Sequence, residues 1–182
     1  MNYRPITDVW ILARSKVRYH GAFPAGFLHR ARALLGVGFD DAVLHVCGGK
    51  VREYPYAGFG VNDRTLDLDP GCAPDYVQDA RAPLPYRGTG PFEFWRAVLI
   101  DRPYTARDAA QYVPGAAALP ELGALLKNAL GVVDVGSRVG VLDYEWPSPP
   151  TCGKEVAVVA VGTGRRGRAR WYTVFEKLDV DA

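Results

Sequence analysis

The sequence predicts an α/β fold: a doubly wound, mixed sheet of about seven strands, mostly parallel, with a terminal antiparallel hairpin. Three observations predict it. Short apolar runs at 43–47, 98–100 and 138–144 end at glycine or acid, as buried strands of a parallel sheet do. Helical patterns precede the first of these runs and separate the last two. The chain then closes with two β-rich runs, 154–161 and 169–177, joined by a basic glycine-rich tip.

Composition sets the outer bounds. The chain has 182 residues, 48% of them hydrophobic and 23% charged, which suits one domain with a proper core. A net charge of +2 gives no global field for a polyanion, so any nucleic-acid contact must come from a local patch. Cys47, Cys72 and Cys152 are odd in number and widely spread. They make neither a disulfide framework nor a zinc motif, and they fit a reducing, cytoplasmic setting. No signal-peptide pattern opens the chain, and no apolar run nears the ~20 residues of a membrane span. No metal and no membrane partner are expected.

In chain order, residues 6–12 form a small apolar segment, followed by a basic turn from Arg14 to His20. Pro24 then precedes Phe27, Leu28, Ala31, Leu34 and Leu35, the spacing of an amphipathic helix that Gly36 and Gly38 stop. Val43-Leu44-His45-Val46-Cys47 reads as the first buried strand, with Gly48-Gly49-Lys50 directly after it. Glycines there let a ligand approach bare backbone N–H groups. Residues 51–60 are too rich in Tyr, Pro and Gly for a regular element, so an irregular loop is expected. Residues 64–70 make a second strand ending in Asp67 and Asp69, about twenty residues after the glycines, where an acid meets ribose hydroxyls. Residues 74–80 make a third, ending at Asp79-Ala80.

After a Pro/Gly loop comes the stretch on which the functional reading turns: Val98-Leu99-Ile100-Asp101-Arg102-Pro103-Tyr104-Thr105. It is a buried strand that stops at a carboxylate, then a stiffening proline and an aromatic ring. Open α/β sheets place ligand chemistry at such strand ends. Helix follows at 108–112 and 119–130, then a short link at Val132 and Val133, a fifth strand at 138–144, and Glu145-Trp146-Pro147.

The order of glycines, acid, acid, Asp-x-Pro-Tyr and hairpin resembles the class I S-adenosylmethionine-dependent methyltransferases. The Asp101-Arg102-Pro103-Tyr104 block is similar to the Asp-Pro-Pro-Tyr signature of their nucleic-acid amino-methyltransferases, with Arg102 in place of the first proline. The resemblance runs from Lys16 to Lys177 and implies a Rossmann-like methyltransferase fold in a single domain, with S-adenosyl-L-methionine as cofactor and no separate target-recognition domain. By the same likeness, the segment with Lys16 and Tyr19 lines the cofactor's methionine end. His45, Cys47, Gly48 and Gly49 form the cofactor loop, with His45 where an acid is usual. Asp67 holds the ribose, with Asp69 as second candidate, and Asp79 and Ala80 meet the adenine.

The chemistry explains these residue types. An aromatic amine's lone pair is delocalised into its ring. A carboxylate (Asp101) and a backbone carbonyl (of Arg102 or Pro103) that accept its N–H bonds draw the nitrogen toward tetrahedral geometry, and they bind harder as positive charge develops. Tyr104 is expected to stack on the target base. Arg102, Trp146 and the tip arginines Arg165, Arg166 and Arg168 are the substrate-side candidates, the tip for phosphates. The first expectation is therefore methyl transfer to an exocyclic amine of a nucleic-acid base, adenine N6 in DNA before RNA, with sequence specificity either weak or supplied by a protein partner. An RNA or small-molecule methyltransferase, or a non-catalytic binding protein of the same fold, are the alternatives.

Overall fold

The computed structural model describes residues 4–17, 19, 21–87, 93–112, 119–164 and 168–179, with no side-chain description for 111 and 112. In chain order the elements are β1 (Ile6–Ile11), α1 (Phe27–Leu35), β2 (Val43–Val46), β3 (Arg64–Asp67), β4 (Tyr76–Val77), β5 (Trp95–Ile100), α2 (Ala106–Tyr112), α3 (Leu122–Gly131), β6 (Val133–Asp143), β7 (Gly153–Gly162) and β8 (Arg170–Lys177). They form one eight-stranded sheet in the order β1-β7-β8-β6-β5-β2-β3-β4. Every pairing is parallel except those of β8, which runs antiparallel to both β6 and β7. The predicted mixed sheet with a terminal hairpin is the observed one.

Sequence periodicity explains the centre of the sheet. In β5, Ala97 and Leu99 enter the core on one face, and Trp95, Val98 and Ile100 enter the core on the other. A strand covered on both faces has no solvent side to alternate with, so it reads as an unbroken apolar run. α1 covers the first face through Phe27, Leu28, Ala31 and Leu35, against Trp10 and Tyr172. Its C-terminus is the glycine the sequence marked: Gly36 sits at φ 71°, and its N–H donates to Ala33 O at 3.2 Å. α3 covers the second face with Leu125, Leu126 and Leu130, and the Glu121 carboxylate caps its first turn by accepting from Gly123 and Ala124 N–H.

Two elements differ from expectation. Residues 6–12 carry a full strand, β1, paired in parallel with β7 from Ile6↔Ala157 to Ile11↔Gly162, which raises the count from about seven to eight. Its pattern hid it, because only Trp10 of the six residues is buried, as befits an edge. The Val132–Val133 link is the start of β6, which begins at Val133 and bends at Gly136 (φ 78°) before the predicted segment. The irregular loop expected after β2 is there: a single 3-10 turn, Val51–Glu53, and then loop.

Candidate active site

The chain runs from β2 outward to β3 and β4, then returns to β5 beside β2 and continues to β6. The strand order therefore switches direction between β2 and β5. Parallel strands on either side of such a point leave a crevice at their C-terminal ends. Cys47-Gly48-Gly49 leave β2 there, Asp67 ends β3, and Asp101 follows β5, its N–H donating to Val46 O at 3.2 Å.

A cavity of about 100 Å³ occupies the crevice. Of the residues predicted for a cofactor, Tyr19, Cys47, Gly48, Gly49, Asp67, Asp79 and Ala80 line it, together with Asp101 and Pro103. Gly49 has φ 49°, and a Cβ there would meet nothing within 4 Å. Its N–H donates to Asp67 Oδ2 at 2.7 Å, and Asp69 N–H donates to Oδ1 at 2.9 Å. These two bonds fix the Asp67 carboxylate at the cavity wall while leaving lone pairs on both oxygens. Asp79 is gripped by Arg81 at 2.6 Å, a bond that holds its carboxyl below the usual range. Gly21, Ala22 and Phe23, from the same segment as Lys16 and Tyr19 that the resemblance places at the cofactor's methionine end, also line the cavity, as do Leu68 and Gln78. Leu68 stands beside a strand-end acid, whereas Gln78 carries no sequence signal.

A second cavity of about 160 Å³ adjoins the first, with Gly21, Asp101 and Pro103 belonging to both. Tyr104, Asp108, Tyr144 and Arg170 complete its lining, with Arg102. The Tyr104 hydroxyl donates to Asp101 Oδ1 at 2.5 Å and accepts from Arg170 Nη1 at 3.0 Å. Among the described residues, Asp101 Oδ2 makes no hydrogen bond. Burial pushes the Asp101 carboxyl up to about 7, against the lowering pull of Arg170 and the Tyr104 hydroxyl. Burial, reinforced by the Asp101 charge, also drives the Tyr104 phenol well above its ordinary value, so it stays a donor.

Several predicted residues stand elsewhere. His45 is a core residue, 2% exposed, bonded through Nε2 to Asp63 Oδ2 at 2.9 Å and tilted against the Phe59 ring. It points away from the crevice because β2 alternates and its neighbours Cys47 and Gly48 take the strand end. Lys16 is exposed, its backbone N–H 3.4 Å from the Tyr56 hydroxyl, and does not line the cavity. Asp69 caps the 3-10 turn at Pro70–Cys72 instead of facing the cavity. The Arg102 guanidinium is not free for substrate: it donates to Asp143 Oδ2 at 2.8 Å and Pro120 O at 3.0 Å and pairs with Glu145 at 3.3 Å. A buried arginine must be paired this way or its charge is uncompensated. The Tyr104 ring, expected to stack on a base, already packs on Tyr144 at 4.6 Å and lies under Arg170. Trp146 lies outside both cavities, tilted onto Trp171 at 5.2 Å with its indole N–H donating to Glu155. Arg168 sits over the Tyr144 ring at 5.8 Å, at the margin of the second cavity, while Arg165 and Arg166 lie outside the described residues. Among the described residues no His, Cys, Asp or Glu cluster could hold a metal ion, and no helix is long and apolar enough to cross a membrane.

No protein-family model matches the sequence, and no curated protein sequence matches it significantly. Solved structures do match. TrmN from Thermus thermophilus superposes with a TM-score of 0.58 at 19% identity, over 83% of this chain and 48% of the Thermus protein. The chain has the methyltransferase fold. The rRNA methyltransferase aviRa from Streptomyces viridochromogenes gives a TM-score of 0.53 at 14% identity, over 88% of each chain. The N-methyltransferase NodS from Bradyrhizobium japonicum, in complex with S-adenosyl-L-homocysteine, gives 0.55 at 9% identity, over 84% of this chain and 86% of NodS. This methyltransferase fold spans about half of the Thermus protein's length and nearly all of the other two.

Proposed function

We propose that the protein is an S-adenosyl-L-methionine-dependent methyltransferase acting on an exocyclic amine of a nucleic-acid base, with adenine N6 in DNA as the first substrate to test. One observation carries the reading: Asp101 belongs to two adjoining cavities and keeps one carboxylate oxygen without a partner. The first cavity suits a nucleoside. Gly48 and Gly49 offer bare backbone, Asp67 presents a fixed acceptor for vicinal hydroxyls, and Leu66, Leu68 and Ala80 give apolar walls for a purine. The complex of NodS with S-adenosyl-L-homocysteine supports the same cofactor. When bound, the cofactor supplies an electrophilic methyl group.

The chain's own residues act on the acceptor. Asp101 Oδ1 is anchored by Tyr104, so the rotation of the carboxylate is fixed before substrate arrives. Oδ2 then accepts an N–H from the amine and binds it harder as the nitrogen gains positive charge. Pro103, beside it, stiffens the backbone and brings no N–H to compete for the acceptor. A base within a duplex does not reach such a cavity, so a flipped or single-stranded base is the substrate form.

RNA is the second reading, favoured by the likeness to an rRNA methyltransferase over nearly the whole of both chains. Transfer of labelled methyl to single-stranded DNA, duplex DNA, RNA and free nucleosides separates the readings. Asp101→Ala is expected to lower transfer by about 10²–10³-fold while calorimetry shows unchanged S-adenosyl-L-homocysteine affinity. Wild-type protein that binds no S-adenosyl-L-homocysteine overturns the enzymatic reading.

A further inference from the structure

Arg170 opens β8 just after the basic tip, and its surroundings are those of the second cavity. Register explains the placement. β8 runs antiparallel to β6 with Asp143↔Trp171, so the first residue of β8 meets the end of β6 and, past it, the end of β5. Arg170 lines the cavity and spends Nη1 on the Tyr104 hydroxyl. Among the described residues it has no carboxylate within ion-pair distance, and none of its nitrogens is buried without a partner. Among the described residues its Nε and Nη2 make no hydrogen bond, and the side chain lines the cavity. The other charges are accounted for. Arg102 is paired with Asp143 and Glu145, and the Asp108 carboxylate accepts the Thr105 hydroxyl at 2.8 Å. Asp101 and Asp108 come from the β5–α2 segment and Arg170 from β8, so the cavity carries both signs of charge, with the Arg170 charge bearing on Asp101.

We propose that Arg170 binds a phosphate of the acceptor, so that the acceptor is read as a nucleotide and not as a bare base or nucleoside: its amine on Asp101 and its phosphate on Arg170. The proposal rests on reading Asp101 as the amine's partner. A guanidinium with a free edge presents parallel donors that match phosphate oxygens. Tyr104 sits between the two sites and aims both, accepting from Arg170 and donating to Asp101. Arg168, over the Tyr144 ring that packs on Tyr104, adds a second positive charge at the same margin.

Calorimetric titration of the whole protein, saturated with S-adenosyl-L-homocysteine, with AMP and with adenosine tests this. AMP is expected to bind about tenfold tighter than adenosine, the worth of one charged hydrogen-bonded contact, and the advantage should shrink as salt is raised. Arg170→Gln should abolish the advantage while the S-adenosyl-L-homocysteine affinity stays as in wild type, and Arg170→Lys should keep part of it. Equal affinities for AMP and adenosine, binding of neither, or a preference that survives Arg170→Gln each overturn the proposal. If Arg170→Gln does not fold, the wild-type comparison and its salt dependence still decide. S-adenosyl-L-homocysteine titrated alone judges the methyltransferase reading separately. A single-stranded oligodeoxyadenylate that outbinds AMP with the same Arg170 dependence identifies the phosphate as part of a polynucleotide backbone, and equal affinity identifies a free nucleotide.

Discussion

The proposed chemistry and a cost in burial meet in one side chain, Asp101. Its carboxyl is raised to about 7, first by burial, so near neutrality it is shared between charged and neutral forms. Only the charged form is a full acceptor for an amine N–H, so methyl transfer should climb through pH 7 and level off above it. A pH–rate profile checks this; a flat profile between pH 6 and 8 would remove Asp101 from the rate-determining chemistry. The same shift fixes the sign for stability. The folded protein holds this proton more tightly than the unfolded chain, so stability falls as pH rises from the ordinary carboxyl value through 7. Asp101→Asn keeps an acceptor for Tyr104 and removes the buried charge. It should melt above wild type at pH 8, with the gap closing toward pH 4, in thermal unfolding followed by circular dichroism.

At the scale of elements, the crevice depends on a loop where a helix was not formed. Residues 51–63 run between β2 and β3 with one 3-10 turn, and a buried hub replaces helical hydrogen bonds. Asp63 accepts from Arg32 at 2.8 Å, His45 at 2.9 Å, Gly60 N–H at 2.7 Å and Val43 N–H at 3.1 Å. Burial raises the Asp63 carboxyl, but these donors together hold it below its ordinary value. Gly58 brings the loop onto α1 so closely that a Cβ would lie 2.5 Å from His29 N. Asp63→Ala leaves Arg32 buried and unpaired and should cost about 3–5 kcal/mol, measurable by urea unfolding. A loss under about 1 kcal/mol would mean the surrounding carbonyls suffice for Arg32. Ahead of the same loop, Gly49→Ala places a methyl group at the wall of the first cavity, at φ 49°. It should weaken S-adenosyl-L-homocysteine binding more than it lowers the melting temperature. None of the hub was legible beforehand. His45 reads as a strand residue that the resemblance assigns to the cofactor loop, and Asp63 and Arg32 are ordinary surface types until they meet.

For the whole molecule, the sheet extends past β7 with an edge strand that the apolar pattern underplays. Ile6, Val9 and Ile11 on β1 are more than half exposed, whereas Trp10 is buried against Phe27 and Tyr172 at 6.2 and 5.9 Å. Trp10→Ala should cost about 3–5 kcal/mol through the cavity it leaves. Val9→Lys should stay within about 0.5 kcal/mol of wild type. Equal effects in chemical denaturation would mean that β1 is not docked on β7 in solution.

The sequence by itself determined the sheet, its hairpin and the cluster of Gly48, Gly49, Asp67 and Asp101, because strand ends are local features: an apolar run that stops at a glycine or an acid marks its own mouth. Parallel pairing then brings such mouths together on one side, whatever lies between them. Only the tertiary structure decided which polar side chains those mouths receive from afar. Arg170 reaches Tyr104 across 66 positions through antiparallel register, and Arg102 is tied to Asp143 across 41. Charge on a side chain says what it must meet when buried, not where the fold will bring the partner.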